Sequence, residues 1–188
     1  MAEKTLSQFA DEHYEWIETV GWAGVRTPLE SLGRIGSEIG ELVNECRGDK
    51  LGDGFADEIS DVILSCITFI KENERQNRFN DYSGINGIAA AMYAKNTYPA
   101  SKVRGFKSIF EAVSYGFVIL ADVITEYERC KDEMTASAME IVVFRATTLI
   151  DYFLAVARKS DINIYAAMIE KMAKNQISWQ LQENNLSK

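Results

Sequence analysis

Proline and histidine are almost missing from this chain of 188 residues, which holds two of the first and one of the second. With so few helix breakers, and with apolar residues recurring at three- and four-residue spacing, the sequence predicts an all-α protein. Cysteine is scarce too. Cys46, Cys66 and Cys130 are odd in number, show no metal-ligand spacing and read as reduced thiols of a cytoplasmic protein. Positive charge is in the minority: 20 Lys and Arg face 28 Asp and Glu, and the net charge of -8 argues against nucleic acid as a partner. Unbroken apolar runs such as Ile88 to Ala94 fall far short of the ~20 residues of a membrane span. Met1 to Ser7 is polar with mixed charge, so neither a signal peptide nor a membrane partner is expected.

What is present is globular: 47% hydrophobic and 26% charged residues, enough for one helical domain over 1–188. The first helix is expected from about Leu6 to Val20, with His13 on its apolar side as a packed, hydrogen-bonded residue. Trp16 on this helix and Trp22 in the glycine-flanked loop after it are candidates to stack on a nucleobase, although tryptophans near helix ends commonly just pack on the core. The second helix has a clear start, with Thr27 as N-cap, Pro28 at N1 and Glu30 at N3. It is expected to run to about Arg47, and a third follows from about Phe55 to Glu74. A short helix is predicted over about Ile85 to Asn96, and three longer ones over about Ile109 to Cys130, Ala136 to Arg158 and Ile162 to Gln180. Ser108 with Glu111, and Asp161, read as the caps of the first and last of these.

Four carboxylates stand out. Glu38 and Glu41 form one pair, Glu58 and Asp61 another of equal spacing, and residues three apart on a helix lie on the same side. At ~100° per residue both pairs border the apolar stripe of their helix. Packed as an antiparallel pair, the two helices would bring both acid edges to one cleft. Four acids in one cleft repel one another unless a cation sits between them, which suits Mg²⁺, with Mn²⁺ as a substitute. The bland reading is a set of solvated helix charges. A di-iron centre is excluded because it needs Glu-x-x-His on two helices, and the one histidine, His13, follows Ala10. A phosphate-binding G-x-x-x-x-G-K-[ST] loop is also missing.

Sliding the chain by 81 positions pairs Glu30 with Glu111, Ile39 with Leu120, Glu41 with Asp122 and Glu45 with Glu126, and one further shift pairs Glu58 with Glu140. Glu38 then meets Ile119, and Asp61 meets Val143. Two readings stand: a chance likeness of amphipathic helices, or tandem degenerate repeats of about 1–80 and 81–188 that form a pseudo-dimer, the second without a full metal site.

These residues resemble the MazG-like all-α nucleoside triphosphate pyrophosphohydrolases, which include the dimeric dUTPases and dCTP pyrophosphatases. The likeness rests on E-x-x-E followed by E-x-x-D, filled by Glu38, Glu41, Glu58 and Asp61. It extends to Glu15-Trp16, Pro28-Leu29 and Ile39-Gly40-Glu41-Leu42, and covers about residues 9 to 72. The resemblance implies a helical bundle in which the four acids hold Mg²⁺ and a (d)NTP substrate is cleaved to (d)NMP and pyrophosphate. It also implies a phosphate-contacting Lys-x-x-x-Asn element, filled by Lys171 and Asn175, or by Asn96, which lies nearer but has Met92 in place of the lysine. Ser37 stands where the family often has another Glu. Single-copy members assemble from two or more chains, so a homodimer is a candidate assembly here. The alternative is a catalytically silent nucleotide-binding or structural bundle.

Overall fold

The apolar periodicity resolves into helices in the computed structural model, which describes residues 6–46, 50–77, 103, 105–133 and 135–186. Among these residues there are six α-helices, one short 3-10 turn and no strand, so the fold is an all-α bundle. α1 spans Leu6–Thr19, α2 Pro28–Asn44, α3 Phe55–Asn77, α4 Ile109–Cys130, α5 Ala136–Lys159 and α6 Ile164–Leu186, with the 3-10 turn at Lys131–Glu133. The helix expected over 85–96 lies outside the described residues. Among the described residues, no helix is long and apolar enough to cross a membrane.

The caps explain most of the boundaries. At Thr27 the hydroxyl accepts the Glu30 N–H, and the Glu30 carboxylate accepts the Thr27 N–H at 2.8 Å, a complete capping box behind Pro28. Ser108 caps α4 through the Glu111 N–H at 3.1 Å, but the Glu111 carboxylate reaches the N–H of Lys107 instead, so the box expected there is only half formed. α2 stops at Asn44, short of the expected Arg47, because Glu45 turns to the following loop: its carbonyl accepts Gly52 N–H and its carboxylate accepts Gly54 N–H. Asp161 does not cap α6. It takes φ +56° and closes α5, with its own N–H on the Arg158 carbonyl and the Ile162 N–H on that of Ala157. Asn163 takes over the capping, accepting the Ala166 N–H at 3.2 Å, and α6 starts at Ile164.

α2 and α3 form an antiparallel hairpin, tied at one end by Ser31 to Glu72 and at the other by Glu45 to Gly54. α4 and α5 form a second, where the Tyr152 hydroxyl donates to the Ala112 carbonyl. α2 packs on α4 and α3 on α5, which closes a four-helix ring around one continuous apolar core. The closest approach is at Gly116, where a Cβ would stand 2.4 Å from Cζ of the fully buried Phe153. α1 and α6 both lie on α3. α3 is therefore buried on more than the single stripe its periodicity suggests, since Ser60, Leu64 and Ile67 on the opposite side are also covered.

Candidate metal centre and adjoining cleft

The α2–α3 hairpin brings three of the four acids together. Glu38, Glu58 and Asp61 each offer a carboxylate oxygen within 4.8 Å of the others. Glu41 is exposed and stands outside that set, at its rim, where its charge still bears on Glu38 and Glu58. Glu38 is only 2% exposed and accepts an ion pair from Arg34, one turn earlier on α2, at 2.5 Å. From α6, Lys171 reaches Asp61 at 2.6 Å. Oε2 of Glu58 is buried and has no hydrogen-bond partner among the described residues.

Burial drives the carboxyls of Glu38, Glu58 and Asp61 above their ordinary pKa range. Arg34 works against this at Glu38, where Asp61 and Glu41 add to the rise. At Glu58 the Asp61 charge adds to it, and at Asp61 the hydrogen bond and charge of Lys171 oppose it. A divalent cation among these oxygens would reverse both the crowding of charge and the loss of water. Three carboxylates with one oxygen unsatisfied are a hard, all-oxygen donor set, which fits Mg²⁺ or Mn²⁺.

Asp61 also belongs to the wall of a cleft of about 470 Å³. α1 lines it with His13, Trp16 and Ile17, the loop with Trp22, Val25 and Arg26, α2 with Ser31 and Arg34, α3 with Leu64, Ser65 and Thr68, and α6 with Asn175. Trp16 and Trp22 meet edge to face at 5.6 Å, and Trp22 meets Trp179 the same way at 4.9 Å. The loop carrying Trp22 turns at Gly21 and Gly24, φ +73° and +70°, and is clamped to α3 because buried Glu72 accepts the Gly24 N–H and the Ser31 hydroxyl.

His13 is 3% exposed, hydrogen-bonded to the Thr68 hydroxyl at 3.0 Å, and pushed by burial down to about 4, so it is neutral at pH 7. The Thr68 hydroxyl donates its proton to the Leu64 carbonyl. The Nε2 of His13 must then carry the ring proton, and Nδ1 is left as a buried acceptor without a partner among the described residues.

The structure thus places Trp16, Trp22, Asn175 and Asp61 on one cleft, with Lys171 bonded to Asp61 and one turn from Asn175 on α6. Asn96 lies outside the described residues. Sequence reasoning missed Arg34, although its four-residue spacing to Glu38 was visible. It also missed Trp179, whose distance along the chain hid its contact with Trp22, and Glu45, whose helical phase matches the acid edge but whose carboxylate serves the loop. No family model matches the chain, and neither does any curated protein or any solved structure.

Proposed function

We propose that the protein is a Mg²⁺-dependent nucleotide pyrophosphohydrolase of MazG-like type, converting a (d)NTP to the (d)NMP and pyrophosphate. The observation that carries the reading is the unpaired, buried oxygen of Glu58 between Glu38 and Asp61, opening onto a tryptophan-lined cleft through Asp61. A buried carboxylate oxygen without a donor is costly, and a ligated cation removes that cost.

Glu38, Glu58 and Asp61 would hold the ion, with Glu41 at the exposed rim. Bound there, Mg²⁺ would supply charge for the phosphates and acidify a water. The residues of the chain do the rest. Arg26 and Arg34 bring two guanidinium groups to the cleft wall, where the phosphate chain of the substrate would lie, and Asn175 adds an amide beside them. Trp16 and Trp22 offer ring surface to a base. One of the four acids would take the proton from an attacking water.

Pyrophosphate release from a panel of (d)NTPs with Mg²⁺ tests this. Glu58→Gln keeps the shape and removes the charge, and is expected to lower the rate by roughly 100-fold or more. Asp122→Asn, on the exposed surface of α4, is expected to leave it unchanged. Equal rates for wild type and Glu58→Gln would overturn the assignment.

A further inference from the structure

One wall of the cleft is not held by burial of its own side chains. Between α1 and α2 no residue from 21 to 27 is buried, and Val25 is 70% exposed. Gly21 and Gly24 set the turn with positive φ, and α1 closes its near end with the Gly21 N–H on the Glu18 carbonyl and the Trp22 N–H on that of Ile17. Trp22, Val25 and Arg26 of this loop nevertheless line the cleft. A loop with so little buried surface opens readily unless something else ties it down.

The tie comes from behind the wall. Glu72 is 5% exposed and does not line the cleft; it lies three turns of α3 beyond Asp61, ~16 Å along the axis at ~1.5 Å per residue. Its Oε1 accepts the Gly24 N–H at 3.2 Å, and its Oε2 accepts the hydroxyl of Ser31, itself a cleft residue, at 3.3 Å. One carboxylate thus joins α3 to the loop and to the start of α2. Burial raises its pKa, and the two hydrogen bonds and the charge of Arg26 oppose the rise. The ring of Trp22, two residues before the tied amide, meets Trp16 of α1 and Trp179 of α6.

We infer that Glu72 is a positioning residue for the cleft: by holding Gly24 and Ser31 together it sets where Trp22 stands, and so how tightly the cleft takes a flat ring. On the nucleotide-hydrolase reading, on which this last step rests, that ring is the base of the substrate. Both partners of Glu72 are neutral donors, so the role needs acceptor oxygens and not a charge. A glutamine can fill it, since its carbonyl accepts the Gly24 N–H and its amide donates to the Ser31 oxygen. A leucine leaves both groups without their acceptor. The acid cluster lies three turns away, so the effect falls on binding and not on the chemical step.

The chain has three tryptophans, and all of them belong to this cluster. Near-UV circular dichroism and acrylamide quenching of the full chain therefore report on the wall through their tryptophan signals. Glu72→Leu is expected to flatten the tryptophan bands, to raise quenching roughly twofold and to speed exchange of the Gly24 N–H roughly tenfold. Glu72→Gln should match wild type in all three. With Mg²⁺ and the (d)NTP panel, Glu72→Leu should raise KM roughly tenfold with kcat little changed. Ser60→Ala, which loses a buried hydrogen bond elsewhere on α3, is the control for mere destabilisation: it should lower the melting temperature and leave the tryptophan bands in place. In wild type the Gly24 N–H should exchange more slowly than that of Val25, a comparison that holds even if Glu72→Leu folds poorly. Unchanged tryptophan bands in folded Glu72→Leu, or equal exchange at Gly24 and Val25 in wild type, overturn the inference. So does a Glu72→Gln protein that behaves like Glu72→Leu, because the charge facing Arg26 would then hold the wall. Shifted bands with an unchanged KM overturn its bearing on ligand affinity. If wild type hydrolyses no (d)NTP while the bands shift as expected, the hydrolase reading falls and the positioning of the wall stands.

Discussion

The α2–α3 hairpin and the α4–α5 hairpin together make the ring, and among the described residues the cluster of three acids lies on the first alone. Both open with a hydroxyl cap, Thr27 and Ser108, 81 positions apart in sequence. At the 81-residue offset Glu38 aligns in sequence with Ile119, and at the further shift Asp61 aligns with Val143, which is buried in the core. Arg34 corresponds to Tyr115, whose ring packs on Phe106 and Tyr152 instead of pairing with an acid. The second hairpin packs through buried apolar residues such as Val113, Leu120, Val142 and Phe153, with the buried Tyr152 hydroxyl on the Ala112 carbonyl. A buried ion pair contributes little over apolar contacts of similar volume, so the Arg34–Glu38 and Lys171–Asp61 pairs are not what holds the first hairpin together.

The largest expected difference between the hairpins is in acid. His13 sits against Thr68 of α3, whereas the corresponding residue of α5 is the fully buried Ile150. The folded-state pKa of His13 is depressed, from 6.5 to about 4. The unfolded chain therefore binds the proton first, and the stability contributed by neutral His13 is present above about pH 6.5 and lost as pH falls towards 4. Converting that shift gives about 3 kcal/mol at the acid end. The charged groups lining the same cleft are Arg26, Arg34 and Asp61, and they stay in place in a His13→Gln variant. Urea unfolding at pH 7 and pH 4.5 should show a steeper loss in wild type than in His13→Gln. Parallel losses would mean that His13 is not held neutral.

Packing should separate the hairpins next. Gly116 of α4 lies against Phe153 of α5 with no room for a methyl group, and Phe153 is fully buried and cannot swing away. Gly116→Ala is expected to cost about 2 kcal/mol despite the better helix propensity of alanine. On α2, a Cβ at Gly40 would meet Phe117 at 4.0 Å, an ordinary contact. Gly40→Ala should therefore gain up to about 1 kcal/mol. Thermal melts of the two variants check both signs, and equal effects would mean that the second hairpin is not the tighter one.

Much of this was legible because helices write their faces and ends into sequence. Ile109–Cys130 matches its expected range, Thr27-Pro28-Glu30 forms the full box, and three of the four evenly spaced acids bring carboxylate oxygens within 4.8 Å of one another. Residues that act across the chain were harder. The partner of Glu45 is a loop amide, and Trp179 meets Trp22 only once α6 has docked on α3. Asp161 misled because an acidic residue before an apolar run also suits the left-handed turn that ends the preceding helix. Lys171 was visible as half of a Lys-x-x-x-Asn pair, but nothing local to it shows that Asp61 would be its partner.

The smallest contrast lies at the two helix starts. Thr27→Ala and Ser108→Ala each remove a hydroxyl that accepts the N–H three residues on, and each should cost about 1 kcal/mol. They differ in what happens next. The Glu30 carboxylate accepts both the N–H and the hydroxyl of Thr27 at 2.8 Å, so Thr27 and Glu30 belong to one network. The Glu111 carboxylate bonds Lys107 N–H, one residue before its cap, so Ser108 and Glu111 act separately. Double-mutant cycles by urea unfolding should find Thr27 and Glu30 coupled, and Ser108 and Glu111 close to additive. Equal coupling in the two cycles would mean that Glu111 also reaches Ser108, and that the two hairpins open alike.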